Sequence, residues 1–413
     1  MKPTFKRAPL YWLALGTFAV GTEGFMIAAI LPRIAADLSV SMQSVGLLVT
    51  IFALTYGLSS PILTAFTGSF DRRKLLILAM AAFAGANIVA ARATGYWPLV
   101  FARILLAVSA GLYTPSASAL AGALVPPEWR GRALAIVNGG FSVAVALGVP
   151  LGALIGNRFG WRMTFVGVAV LAAAAAAGLL VGIPRGAGAG LSAASLRERI
   201  AVVRQPAALA ALLVTTLWGI AGYSVYTYIA PYLATVVGLQ QAHIGYVLFL
   251  LGASAFTGLL IGGAAVDRIG SRRVIAMVLP VLAAALVSLS VSARYLSASS
   301  ALIPVLIAIA VWGITGWSFL PAQQARVIGI SGLKNASVIL SLNASFQYLG
   351  FSLGAALGSL VITRGSVADL GWFGGLCAAA SLVLFLATSR PARAVSPASV
   401  RVGSAERVAL DIP

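Results

Sequence analysis

Charge is the scarcest commodity in this 413-residue chain. Only 9% of its residues are Asp, Glu, Lys or Arg, against about 25% in soluble globular domains. An ordinary soluble enzyme is excluded by that shortage. Acids are scarcer still, with 9 Asp and Glu against 28 Lys and Arg. One cysteine, Cys377, and one histidine, His243, complete the list of rarities. A single cysteine cannot close a disulfide within the chain, and a lone histidine makes no metal cluster. A Gly-x-x-x-x-Gly-Lys-Ser/Thr phosphate loop is also absent, which argues against a built-in ATP motor. Neither a nucleic-acid module nor a cofactor fingerprint is visible, so no cofactor and no nucleic-acid partner are expected. A Ser-His dyad and a His/Asp cluster are missing too, so the chain does not read as an enzyme.

What is present is apolar. Hydrophobic residues make up 60% of the chain, and they gather in runs of 18 or more. Such runs cross a bilayer as helices. Twelve are expected, at about 10–31, 44–66, 75–93, 98–122, 133–156, 163–183, 207–234, 243–266, 274–292, 301–322, 337–362 and 371–389. The first is too long for a signal-peptide core and carries Glu23, so it reads as a retained span. Ten-residue alternating segments, the mark of a membrane β-barrel, are lacking. The expected fold is all-α and polytopic, with the lipid bilayer as its surroundings.

The basic residues fall unevenly between the spans. Twenty-one lie on the side that carries both termini, six on the other, and Arg103 lies inside a span. Positive loops stay inside, so both termini are expected in the cytoplasm. The longest internal loop, 184–206, separates a first bundle of six spans (1–183) from a second (207–389), followed by a basic cytoplasmic tail (390–413). Within the loop, Arg197–Arg204 is expected to form a short helix on the anionic membrane surface. Shifted by 199 residues, Ile30, Pro32, Ala35, Gly46 and Arg73 fall on Ile229, Pro231, Ala234, Gly245 and Arg272. Two halves related by a parallel repeat are a transporter architecture.

Two motifs sharpen this reading. After span 8 the chain runs Gly263-Ala-Ala-Val-Asp267-Arg268-Ile-Gly270-Ser-Arg272-Arg273. This resembles the signature loop of the major facilitator superfamily. The matching first-half loop, Gly68 to Lys74, departs from it: Gly68 stands at the Asp position and Asp71 at that of the second Gly. Asp71, with Arg72 and Arg73, is the candidate for the latch between halves. Span 5 carries Gly148-Val-Pro150-Leu-Gly152, which resembles the Gly-Pro element of twelve-span drug:H⁺ antiporters. With Gly21-Thr-Glu23-Gly24-Phe25 in span 1, the chain is similar to the branch of arabinose, sugar and purine-nucleoside efflux permeases and chloramphenicol exporters. That resemblance implies two six-helix bundles around a central cavity, working as a monomer in a bacterial inner membrane. It implies proton-coupled export of a small molecule by alternating access. A symporter or uniporter importing a sugar or nucleoside is the nearest alternative. A transporter-like receptor that moves nothing is the alternative from another class.

Site residues follow from polarity inside the spans. Glu23 is the one acid near the middle of a span. A charge there is costly, and intramembrane acids face a bundle interior or water. A buried carboxylate holds its proton more readily than an exposed one, so Glu23 is the candidate proton carrier. Arg103 is the one deep cation. Either it tunes Glu23 or meets substrate, or it snorkels to the outer interface, being five residues from Pro98. Of the family's Arg motif only Arg103 survives, with Leu106 and Ala107 at the other positions. Pro150, Gly148 and Gly152 suggest a hinge or seal, or else a static packing groove. Large rings with polar tips, including Tyr56, Trp218, Tyr223, Tyr226 and Tyr348, suit an adaptable pocket. On helices that line the family's central cavity, Asn138, Tyr226 and Asn343 are the preferred substrate contacts, with Gln347 beside them.

Overall fold

The computed structural model describes residues 7–68, 70–126, 129–188, 194–332 and 335–389. Pro127 and Glu128 of the basic loop and the expected tail 390–413 lie outside the described residues. No strand occurs among the described residues. Where water is excluded, each backbone N–H and C=O must be paired inside its own segment, and a helix does this without a partner. Apolar runs of this length therefore become helices.

The first half comprises α1 (Ala8–Asp37), α2 (Met42–Phe66), α3 (Arg72–Ala91), α4 (Tyr96–Ala123), a split fifth span and α7 (Trp161–Gly182). The fifth span is α5 (Arg130–Val143), a wide π turn (Ala144–Gly148) and α6 (Val149–Phe159). Pro150 explains the widening. A proline lacks an N–H, and its ring crowds the carbonyl four residues back, here that of Ala146. The linker holds the short helix α8 (Leu196–Val203). The second half comprises α9 (Pro206–Tyr226), α10 (Ile229–Val236), α11 (Gln241–Ile269), α12 (Ser271–Tyr295), α13 (Ala298–Ser331), α14 (Ala336–Arg364) and α15 (Leu370–Thr388). The expected seventh span is thus two helices, broken at Thr227 and Tyr228. The expected tenth span is longer than read, because Gln323, Gln324 and Arg326 continue the helix beyond its apolar run. Twelve helical spans among the described residues are long and apolar enough to cross a membrane.

Within the first half α1 packs against α5, α6 and α7, α3 against α4 and α7, and α2 against α4. Within the second, α9 packs against α14 and α15, α11 against α13, and α12 against α13 and α15. Two seams join the halves: α2 lies on α14, and the fifth span lies on α11. Glycine makes both approaches possible. A Cβ on Gly57 of α2 would fall 3.1 Å from the Ser345 carbonyl oxygen of α14. One on Gly252 of α11 would fall 2.8 Å from the Ala146 Cα in the π turn.

Hydrogen bonds cross the halves at both ends. At the end far from the linker, Gln241 Nε2 donates to the Ala29 carbonyl (3.1 Å) and Asn157 Nδ2 to the Gln241 carbonyl (3.1 Å). At the linker end, α8 begins with a reciprocal cap between Ser195 and Glu198. Its Arg199 reaches inward and donates to Ser341 Oγ of α14 (2.8 Å) and Thr64 Oγ1 of α2 (3.1 Å). Arg199 is only 6% exposed. The expected surface helix is therefore also a brace between the halves.

Candidate transport site

The site lies where α1, α2 and α4 face α9 and α14. Glu23 sits two-thirds of the way along the apolar stretch of α1, and Arg103 sits two turns into α4. The Arg103 Nη1 donates to Glu23 Oε1, and both side chains are wholly buried. Arg103 makes two further contacts, both with α2. Its Nε donates to the Leu48 carbonyl at 3.2 Å, and its guanidinium carbon lies 4.2 Å from the centre of the Phe52 ring. A snorkelling Arg103 is ruled out by this geometry, because the guanidinium turns inward onto Glu23 instead of outward to the interface. The pair is not fully satisfied. Glu23 Oε2, Arg103 Nη2 and the neighbouring Thr22 Oγ1 are buried without a hydrogen-bond partner. Buried polar atoms nearly always find partners, so the unmet Glu23 Oε2 and Arg103 Nη2 leave the pair with unused hydrogen-bonding capacity, while Thr22 Oγ1 faces Gly148 of the fifth span.

Next to the pair is a cavity of about 10 Å³, room for about one water molecule. Gly24, Phe25, Val49, Phe52 and Ala53 line it from the first half, and Tyr223, Tyr348 and Phe351 from the second. Its walls are mostly aromatic and tightly paired. Tyr56 stacks on Tyr348 across the halves with ring centres 3.7 Å apart, and Tyr223 stacks on Phe351 at 3.8 Å. Tyr226 holds the cavity wall from behind, through Phe25. Its hydroxyl donates to the Phe25 carbonyl at 2.8 Å, and its ring meets the Phe25 ring edge-on. Among the described residues the Tyr223 and Tyr348 hydroxyls have no hydrogen-bond partner. Flat, amphipathic rings around a small void can part for a ligand at little cost in ordered side-chain freedom.

The residues expected to touch substrate are dispersed. Tyr226 contacts the cavity wall through Phe25 but bridges the halves instead of lining the void. Asn343 Oδ1 accepts from Thr215 Oγ1 (2.7 Å), and Thr215 in turn accepts from Gln323 Nε2 (2.9 Å). That network ties α9, α13 and α14 within the second half, away from the cavity. Asn138 is exposed and accepts from Ser118 Oγ at 3.3 Å. Gln347 is half-buried, adjacent to Tyr348 but not among the lining residues. Sequence reasoning missed Phe52 and Phe351, because a phenylalanine in an apolar span carries no signal that separates lining from packing.

The motif residues have local work. Asp71 caps α3 by accepting from the Lys74 N–H at 3.1 Å, so its carboxylate makes a helix cap where an inter-half latch was expected. Arg72 is buried and leans on the Gly68 carbonyl (3.4 Å). Arg73 donates to the Ile183 and Leu180 carbonyls (2.7 and 2.5 Å), satisfying the open end of α7. In the second half Asp267, Arg272 and Arg273 are exposed and make no hydrogen bond or ion pair among the described residues. Gly263 borders open space, and Gly270 turns the chain from α11 to α12 at φ +81°. In the fifth span, Gly148 seats against Thr22 and Gly152 against Met26, where a Cβ would lie 3.0 Å from the Met26 side chain. The Gly-Pro element thus keys the fifth span onto α1, one turn from Glu23, while its other side meets α11.

A family profile described as the Major Facilitator Superfamily matches residues 13–354. The chain is 33% identical to the chloramphenicol resistance protein of Streptomyces lividans, over 91% of this chain and 95% of that one. It is 31% identical to the inner membrane transport protein YdhP of Escherichia coli (strain K12), over 86% and 89%. In fold it resembles a solved bacterial homologue of the human lysosomal transporter Spinster, with a TM-score of 0.72 at 18% identity over 92% and 94% of the two chains. The peptide transporter POT gives 0.75 at 12% identity, over 92% and 93%. A dozen apolar helices, a buried acid beside a void and this range of matches agree: the chain belongs to the major facilitator superfamily and is a multi-pass membrane transporter, not an enzyme.

Proposed function

We propose that the chain exports a small molecule, a drug, sugar or nucleoside, in exchange for protons, from a bacterial inner membrane with both termini in the cytoplasm. The carrying observation is the Glu23–Arg103 pair, wholly buried, half satisfied and set against the aromatic cavity between the halves. Residues 1–183 and 207–389 act as two bodies that rock about this site, joined by 184–206. A proton arriving from outside neutralises Glu23 and releases the ion pair while cargo leaves. When the site faces inward, Glu23 gives up the proton, regains Arg103, and cargo binds again. Proton and cargo need not touch each other. Each has only to bias the same equilibrium through its differential affinity for the two states. Export is favoured over import by the Streptomyces lividans relative, whose name records resistance to chloramphenicol.

The test uses purified protein in liposomes with a pH-sensitive dye inside and an imposed proton gradient. Chloramphenicol, a pentose and a nucleoside are added in turn. The expected result is proton flux opposite to cargo movement with at least one of them, lost in Glu23→Gln. Cargo movement with no proton flux would make the chain a uniporter and leave Glu23 a structural acid.

A further inference from the structure

A proton on Glu23 solves one problem and creates another. The acid becomes neutral, but Arg103 stays charged because a guanidinium does not lose its proton in proteins. It is then a wholly buried cation without its counter-ion, which is costly. The fold supplies two substitutes, and both come from one turn of α2. One is the Leu48 carbonyl at 3.2 Å from Nε. The other is the face of Phe52, 4.2 Å from the guanidinium carbon. Neither needs Glu23 to be charged, so both remain available, and matter more, when the acid is neutral. A ring face attracts a cation most strongly where water is excluded and no anion competes.

Few other groups affect this balance. The titratable side chains around the pair are Tyr223 from α9 and Tyr348 from α14, with Tyr226 from α9 and Tyr56 from α2 packed against them. All four are uncharged phenols at neutral pH. The other charges on α1 and on the helices packed against it sit at helix ends, as with Arg33, Asp37, Arg132 and Arg158.

We propose that Phe52 is a positioning residue that sets the proton affinity of the Glu23–Arg103 pair, by holding the guanidinium through the proton-loaded half of the cycle. The proposal rests on Glu23 being the proton carrier. It also explains how cargo and proton exclude each other without contact. The same ring lines the cavity. Cargo that moves Phe52 off the guanidinium weakens proton binding, and a proton-loaded pair holds the ring in place against cargo.

The test needs no cargo. The chain has four glutamates, at 23, 128, 198 and 406. With ¹³C-labelled glutamate, infrared difference spectra between pH 4 and 10 report protonated and ionised carboxyls, and subtracting the Glu23→Gln spectra isolates Glu23. Phe52→Leu and Phe52→Met keep the site apolar and remove the ring; Phe52→Tyr keeps the ring. In both ring-less variants the pH of half-protonation is expected to fall by about one unit, and in Phe52→Tyr to stay within a few tenths of the parent. An unmoved midpoint in a folded ring-less variant overturns the role of Phe52 and leaves Glu23 as the carrier. A Glu23 that does not change protonation anywhere in the range overturns both.

Discussion

At the scale of single residues, the Glu23–Arg103 pair is held by opposition. Burying either charge alone is expensive, and burying both is tolerable only because each answers the other. Removing one partner should therefore cost more than removing both. Arg103→Leu leaves an unanswered carboxylate and is expected to lower stability by about 3 kcal/mol, while Glu23→Gln/Arg103→Leu recovers most of that loss. Thermal unfolding of the three proteins in one detergent reads the order directly. If the double variant is no more stable than Arg103→Leu, the two charges do not depend on each other. Glu23 was legible in the sequence because an acid inside an apolar run is rare and costly. Its partnership with Arg103 was one of several readings there, and the sequence could not choose among them. The two residues lie 80 positions apart, and the pairing exists only once α1 and α4 are set in register. Phe52 left no trace at all, since its role comes from what lies over its face. Asn343 shows the opposite limit: polar residues in spans also satisfy one another, and Thr215 and Gln323 do so here.

At the scale of elements, twelve spans could be read from hydropathy because a bilayer permits little else. Irregularities within spans were only partly legible. Pro150 announced the wide turn in the fifth span, since proline has a fixed structural cost. The break at Thr227 and Tyr228 carried the same marker in Pro231, which has no N–H to give the Thr227 carbonyl and whose ring crowds it. The fifth span shows what its irregularity accomplishes. Its glycines seat on α1 at Thr22 and Met26, while the π turn presents Ala146 to Gly252 of α11. It is thus clasped on one side by the helix that carries Glu23 and on the other by the second half. Gly252→Val would drive a side chain into the Ala146 backbone, which has no rotamer with which to give way. Overpacking of this kind costs about 1–3 kcal/mol, and here the seam between the halves bears it. The expected outcome is a far end that no longer closes. With Cys377 replaced by serine and a cysteine introduced at Gln241, maleimide labelling should rise several-fold in Gly252→Val. Unchanged labelling would mean that the seam has slack for the extra side chain.

At the scale of the molecule, two bundles must move against each other without coming apart, and the linker governs how far. Among the described residues, Arg199 is the one linker side chain that reaches both halves, through Thr64 of α2 and Ser341 of α14. Burial lowers its proton affinity and the neighbouring Glu198 partly restores it, yet a guanidinium stays charged throughout the physiological range. The brace is therefore constant in charge and does not respond to pH. Both acceptors are neutral hydroxyls, so each bond contributes about 1.5–3 kcal/mol at most. That is strong enough to bias a conformational equilibrium and weak enough to yield during a cycle. This contact was hidden from sequence reading: a basic residue in a short linker helix reads as a membrane anchor, and its actual partners are a threonine and a serine on distant helices. Arg199→Ala should leave proton binding at Glu23 unchanged, because the residue lies at the end of α2 remote from Leu48 and Phe52. It should instead shift the balance between the two access states. Spin labels placed at the linker ends of α2 and α14 would report a broader and longer distance distribution in Arg199→Ala. Arg199→Lys should restore it only in part, since one ammonium cannot present two forked donors to two helices at once. A distribution that matches the parent in Arg199→Ala would show that the α2–α14 seam alone, through Gly57 and Ser345, holds the two bodies together at that end.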